Sequence, residues 1–300
     1  MNPLLTIQGL RTVYAAGAQE IVAIDGVDLT VERGATLGLV GESGCGKSAL
    51  SLSVMGLLPE AGKVASGKIL LDGEDIVHAT PAVMRSIRGR RIAMVFQEPM
   101  TSLNPIFSIG FQMAEALRAH DRRLSDRAAR DKILRRVRIP APDRRIDEYP
   151  HQMSGGMRQR VMIAMALSCA PDLLIADEPT TSLDVTVQAE ILDLLGELQS
   201  QTGMAILLIT HDLGVVASMA DTVAVMYAGR IVERAPTRDI FENAQHPYTL
   251  GLLGSIASID REKSRLIAID GAVPSPGALP SGCRFQPRCV FAAPECLSKD

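Results

Sequence analysis

The sequence predicts an α/β fold, a largely parallel and buried sheet layered with helices. Short apolar runs, Ala35–Val40, Ile92–Phe96, Leu173–Ala176 and Met204–Ile209, are too continuous for half-exposed strands and fit strands buried on both faces. Helix-compatible stretches, Ala49–Met55, Val161–Leu167 and Val185–Gln201, are interleaved with them. Hydrophobic residues make up 47% of the chain but aromatics only 3%, with no Trp, so the core must be aliphatic, as suits such layers.

The 300 residues suffice for one large α/β domain and a smaller appendage. A net charge of −3 gives no global basic field to draw the chain to nucleic acid. No stretch reaches the roughly 18 mainly apolar residues that span a bilayer. Met1–Leu5 lacks the basic-then-apolar order of a secretion signal. The expectation is a soluble, cytosolic chain that meets a membrane only through partners. Five cysteines, Cys45, Cys169, Cys283, Cys289 and Cys296, are an odd set that argues against a disulfide framework.

Residues 4–33 read as strands, with Ile7–Leu10 and Val27–Glu32 alternating and Glu32-Arg33-Gly34 as a turn. Tyr14 has an aromatic face that could stack on a purine, or could simply pack as a strand tyrosine. Next comes Gly41-Glu42-Ser43-Gly44-Cys45-Gly46-Lys47-Ser48, between a strand and a helix. In that context the pattern is a phosphate-binding loop: its glycines let backbone N–H groups curl inward, and the helix dipole points its positive end at the same place. Lys47 would reach terminal phosphates, and Ser48 would place a hydroxyl on Mg²⁺.

Gly67–Ile76 reads as a hairpin, and the basic Arg85–Arg91 as a solvated face rather than a nucleic-acid patch. Gln97 closes the apolar strand Ile92–Phe96, at the carboxyl end where α/β sheets hold ligands. Glu98–Ile109 is irregular, and Gly110–Ile139 is expected to be helical, with Met113, Leu117, Leu124 and Ile133 on its apolar positions. Pro140, Pro142 and Pro150 break that pattern.

Ser154-Gly155-Gly156 offers exposed N–H groups at a helix start, which serve either a second phosphate site or a plain helix cap. Leu173–Glu178 delivers two carboxylates at a strand end: Asp177 suits the Mg²⁺ shell and Glu178 could accept a proton from an attacking water. Thr181-Ser182-Leu183-Asp184 turns into the Val185–Gln201 helix. His211 follows the Met204–Thr210 strand, where it could sense a terminal phosphate. A hairpin turns around Ala228-Gly229-Arg230.

Taken together, Gly41–Ser48, Gln97, Ser154–Gly156, Leu173–Glu178, Asp184 and His211 resemble, in that order, the ATP-binding subunits of ABC transporters. Phe96–Pro105, Ser154–Arg160, Asp177–Gln188, His246-Pro247-Tyr248-Thr249 and the Pro-rich Pro274–Pro280 are similar to the dipeptide/oligopeptide/nickel importer branch. Met153 and Met157 depart from the wider family's Leu and Gln. Met157 fits the branch and Met153 is a conservative apolar change.

The resemblance implies a P-loop NTPase (RecA-like) core with an N-terminal antiparallel β-subdomain and a helical insertion at about 98–160. Residues 1–255 would form the ATPase domain, and 256–300 an oligopeptide-importer-type extension. It also implies an ATPase using Mg²⁺ and ATP at a head-to-tail dimer. Gly41, Ser43, Gly44, Gly46, Lys47, Ser48, Ala49 and Tyr14 of one subunit would face Ser154, Gly155, Gly156 and Asp184 of the other. Glu178, His211 and Gln97 would be catalytic, and Ser48, Gln97 and Asp177 would hold Mg²⁺.

The implied partners are a second ATPase subunit (a paralogue rather than an identical copy), two membrane permeases and, indirectly, a solute-binding protein, with the chain peripheral on the cytoplasmic face of the membrane. Cys283-x5-Cys289-x6-Cys296 is not zinc-finger spacing. Some members of the branch hold a 4Fe–4S cluster on three such Cys and a fourth, which does not occur by Asp300, so free or structural thiols stay open. A related soluble ATPase of ribosomes or DNA would usually carry tandem domains or long coiled coils, and neither is visible here.

Overall fold

In a computed structural model, residues 3–17, 19–97, 102–120, 126–181, 183–255 and 269–299 are described. Glu98–Thr101, Leu124, Ser182, Asp300 and the start of the extension through residue 268 therefore lie outside the described residues. The strands are β1 (Leu5–Ala16), β2 (Gln19–Val31), β3 (Thr36–Val40), β4 (Gly62–Leu71), β5 (Glu74–Asp75), β6 (Ile92–Val95), β7 (Leu173–Asp177), β8 (Ala205–Ile209), β9 (Thr222–Tyr227) and β10 (Arg230–Pro236). The helices are α1 (Lys47–Met55), α2 (Pro81–Ile87), α3 (Ile109–Arg118), α4 (Arg127–Arg136), α5 (Pro142–Arg145), α6 (Gly155–Ala166), α7 (Val185–Thr202), α8 (Leu213–Met219), α9 (Thr237–Asn243) and α10 (Pro247–Gly254). The chain forms two compact units, one of residues 1–78 and 208–300 and one of residues 79–207, and passes between them after His78 and within β8.

The first unit begins with an antiparallel sheet in the order β2-β1-β4-β5. Its β4–β5 hairpin turns at Asp72-Gly73, both with positive φ (57° and 85°), as the right-handed strand twist requires of a two-residue turn. The same device, Ala228-Gly229 with φ of 44° and 87°, joins β9 to β10. β3 pairs in parallel with β9, Leu37 opposite Thr222 through Val40 opposite Val225, and is buried along its whole length. Thr210 N–H donates to Leu39 O, setting the end of β8 beside β3.

The described core is aliphatic as the composition predicts, apart from the rings that seat the C-terminal segment. Tyr227, Tyr248 and Phe285 pack with centroids 4.5, 5.2 and 5.4 Å apart, among Val40, Val225 and Ile240. Polar contacts reinforce this seat: the Asp25 carboxylate pairs with Arg230 and Arg284. Burial pushes the Asp25 carboxyl up, but the two guanidinium groups outweigh it and hold the group below its usual range.

In the second unit β6 and β7 are parallel, Ile92 opposite Leu173 through Val95 opposite Ala176. The helical stretch expected over Gly110–Ile139 is not continuous. α3 ends at Arg118 and a new helix begins at Arg127, because Asp126 turns its carboxylate to accept the Ala129 N–H at 2.6 Å. Leu134, Val137, Ile139 and Ile146 bury the apolar side of this insertion.

α10 is capped by His246, whose Nδ1 accepts the Tyr248 N–H at 3.1 Å. Burial depresses the His246 pKa, with nearby Glu233 opposing, so the folded chain holds the ring neutral where the unfolded chain has begun to protonate it. This contribution is complete above the unfolded value of about 6.5 and is lost as pH falls below it. Thermal midpoints should therefore drop as pH falls below about 6.5, and less steeply in His246→Asn, which keeps a capping acceptor without the titration. Equal slopes in the two proteins would contradict this role for His246.

Candidate functional site

The Gly41–Ser48 loop leaves the buried end of β3 and enters α1, and its shape is set by positions without a Cβ. Gly41, Gly44 and Gly46 have φ of 153°, 80° and 114°. A Cβ on Gly41 would overlap the Met226 carbonyl oxygen, and one on Gly46 would lie 2.8 Å from the Ala23 carbonyl oxygen. The loop is thus pressed against β9 and β2, and Gly229 N–H donates to Cys45 O at 2.8 Å.

Lys47 is only 6% exposed, and its ammonium donates to Gly41 O at 2.6 Å and Glu42 O at 3.1 Å. Cys45 Sγ is 3.8 Å from the same nitrogen, and burial pushes that thiol up. Ser43, Gly44 and Ser48 are exposed, so the mouth of the loop opens to solvent while its lysine rests on its own carbonyls.

Two further predicted residues belong to this unit. Exposed His211 directly follows Thr210, beside the end of β3, and Asp212 caps α8 through the Gly214 and Val215 N–H groups. Tyr14 pairs across to Ile21 and Gly62, and its ring lies over Gly62, where a Cβ would come within 2.8 Å of Cε1.

The second unit brings Gln97 and Glu178 together. Both stand two residues beyond the Val95–Ala176 pair, so the parallel register carries them to the same level. Gln97 Nε2 donates to Glu178 Oε2 at 2.8 Å, and the Thr181 hydroxyl donates to the same oxygen at 2.9 Å. Glu178 has a left-handed backbone (φ 48°), an uncommon conformation for this residue type and one that concentrates at functional sites. Asp177, just before it, is buried.

Ser154 and Asp184 both act as helix caps. The Ser154 hydroxyl accepts the Met157 N–H at 3.4 Å, and the Asp184 carboxylate accepts the Val187 N–H at 3.0 Å. Gly156 is required by packing, since a Cβ there would come 2.7 Å from Val187 Cγ1. The sequence places Thr181 only in a turn, because a threonine there carries no pattern that announces its bond to Glu178.

Among the described residues no three His, Cys, Asp or Glu side chains come together as a metal-holding group. Cys283 and Cys289 instead lie partly buried against the cluster around Tyr227. No chemistry is routed through a 4Fe–4S cluster, which needs convergent thiolates. No helix among the described residues is long and apolar enough to cross a membrane.

A glycine-shaped anion loop and paired strand-end carboxylates define an ATPase cassette of the phosphate-loop class. The family model for ABC transporters matches residues 24–181, and that for the oligopeptide/dipeptide transporter C-terminal region matches residues 232–296. A putative peptide import ATP-binding protein of Brucella ovis is 53% identical, covering 98% of this chain and 91% of its own. The dipeptide transport ATP-binding protein DppD of Bacillus subtilis is 50% identical over 96% and 87%.

Among solved structures, cbiO1 from Clostridium perfringens, part of an ABC transporter complex, superposes with a TM-score of 0.69 at 29% identity, covering 81% of this chain and 92% of its own. The cassette MJ0796, in a dimeric post-hydrolysis state bound to ADP and Pi, shares the fold with a TM-score of 0.67 at 24% identity, over 78% and 99%. The chain belongs to the ABC-transporter ATP-binding family, in its oligopeptide/dipeptide branch.

The loop geometry makes a stability prediction. Gly41→Ala should cost about 2–4 kcal/mol, from backbone strain plus the overlap with Met226, whereas Gly44→Ala, with open space around it, should cost about 1 kcal/mol. Urea unfolding of the two variants measures the difference. Equal midpoints would contradict the packing described here.

Proposed function

We propose that the chain is the ATP-hydrolysing subunit of an importer for peptides or a related small solute, and that two such subunits hold Mg·ATP between them, head to tail. The supporting observation is the Glu178 carboxylate, held by Gln97 and Thr181 on a left-handed backbone at the end of a buried strand. In this reading the amides of Ser43, Gly44, Gly46 and Ala49 bind phosphate oxygens, and Lys47 leaves its own loop carbonyls to neutralise the terminal phosphates.

Ser48, Gln97 and Asp177 supply hydroxyl, amide and carboxylate oxygens, the hard donors that suit Mg²⁺. Glu178 orients the attacking water and takes its proton, and His211 contacts the terminal phosphate. Ser154, Gly155 and Gly156 present a helix N-terminus, with Asp184 beside the same nucleotide, to a second subunit's loop. Tyr14 stacks on the purine.

The membrane partners would dock on the second unit. There Met94, Phe96, Leu103, Met162 and Met165 line a cleft of about 420 Å³, open enough to receive a short apolar segment. Exposed Phe107 and Phe111, stacked at 4.6 Å, extend the apolar surface. Two permease subunits, a second ATPase subunit (a paralogue rather than an identical copy) and an external binding protein complete the assembly on the cytoplasmic face of the membrane. Closure of the paired subunits on ATP and reopening after hydrolysis would drive the permeases.

Glu178→Gln should retain ATP binding while hydrolysis falls at least about a hundredfold, the scale of a lost general base. Lys47→Ala should abolish tight binding of Mg·ATP. Steady-state phosphate release and nucleotide titration measure these effects. An unchanged turnover in the first variant, or equal affinity in the second, would overturn the respective assignment.

A further inference from the structure

The phosphate loop carries a carboxylate of its own. Glu42 follows Gly41 directly, and an acidic side chain there works against a site built for polyphosphate. The structure deals with this charge through the C-terminal segment. Arg288 grips Glu42 as a two-pronged pair, Nη1 to Oε2 at 2.7 Å and Nη2 to Oε1 at 2.9 Å.

The Arg288 side chain is only 4% exposed, and its remaining donors are occupied. Nε donates to Asp270 O at 2.9 Å, Nη2 reaches Gly271 O at 3.3 Å, and Nη1 reaches the Tyr227 hydroxyl at 3.4 Å. Its guanidinium carbon lies 5.8 Å from the Tyr227 ring centroid. The backbone of the same loop residue is fixed from the other end of the aromatic cluster, the Glu42 N–H donating to the Tyr248 hydroxyl at 2.9 Å.

So the loop's acidic residue is held at both ends by groups outside the loop, and one of these belongs to the segment that also bears Cys283 and Cys289. Arginine suits this position, because a planar fork matches a carboxylate in a way that lysine cannot.

We propose that Arg288 is a positioning residue of the phosphate loop: it fixes and neutralises Glu42, so that the affinity of the loop for nucleotide polyphosphate depends on the docked C-terminal segment. The inference rests on the reading of Gly41–Ser48 as the nucleotide site. It makes the tail part of the binding machinery, and it predicts an effect of charge, separable from one of packing.

The test is calorimetric titration of the full chain with Mg²⁺ and a non-hydrolysable ATP analogue, on a double-mutant cycle. Arg288→Ala should raise Kd about tenfold, and Arg288→Lys by less, since it keeps the charge but not the fork. Adding Glu42→Gln to Arg288→Ala should return Kd to within about threefold of the parent, because the carboxylate that Arg288 neutralised is gone. A structural prop would not be rescued in this way.

Should Arg288→Ala fail to fold, Arg288→Lys with and without Glu42→Gln reads the same coupling. Unchanged affinity in the Arg288 variants, or a loss that Glu42→Gln leaves in place, overturns the proposal. Lys47→Ala in the same titration separates the two levels. Affinity lost there but kept in Arg288→Ala overturns this inference alone, whereas affinity kept in both overturns the site reading as well.

Discussion

The Gly41–Ser48 loop is packed so tightly that side chains are excluded at two of its glycines, and that constraint shapes the first unit. Gly41 and Gly46 lie so close to the Met226 and Ala23 carbonyls that no side chain fits, so β9 and β2 form the wall against which the loop is moulded. α1 then starts at Lys47, after Gly46 in a left-handed conformation and without a side-chain cap. The buried length of β3 holds the start of the loop, and the Ala228-Gly229 turn secures Cys45 from behind. The C-terminal segment belongs to the same wall, since Tyr248 and Arg288 hold the one loop residue that carries a negative charge.

The second unit solves a different problem, how to fix a glutamate side chain at a strand end. Parallel register alone brings Gln97 level with Glu178, and a left-handed turn after Asp177 sends the chain away while Thr181 returns to the carboxylate. Two donors on one oxygen, the Gln97 amide and the Thr181 hydroxyl, orient the group.

Much of this was legible in the sequence, because local chemistry dictated it. The Gly41–Ser48 pattern, the apolar runs Ala35–Val40 and Leu173–Ala176, and the Asp72-Gly73 and Ala228-Gly229 turns are all fixed within a few residues of themselves, whereas the run read as Ile92–Phe96 ends as a strand at Val95, with Phe96 exposed. What the sequence hid depends on partners far along the chain. Tyr227, Tyr248 and Phe285 cluster across gaps that no periodicity marks, and Arg288 meets Glu42 only because that cluster seats the tail. The break between α3 and α4 was missed for another reason: the apolar spacing continues, while the Asp126 cap overrides it. Ser154 and Asp184 show how one residue type serves two readings, since a helix cap and a phosphate-facing helix start use the same geometry.

The account stands on Lys47 exchanging its own loop carbonyls for phosphate oxygens. A crystal structure of the full chain grown with Mg²⁺ and a non-hydrolysable ATP analogue tests this most directly. The account predicts the phosphates on the Ser43–Ala49 amides, with Lys47 Nζ released from Gly41 O and bonded to the terminal phosphates. Nucleotide bound elsewhere, or Lys47 still resting on Gly41 with the phosphates in place, would contradict it.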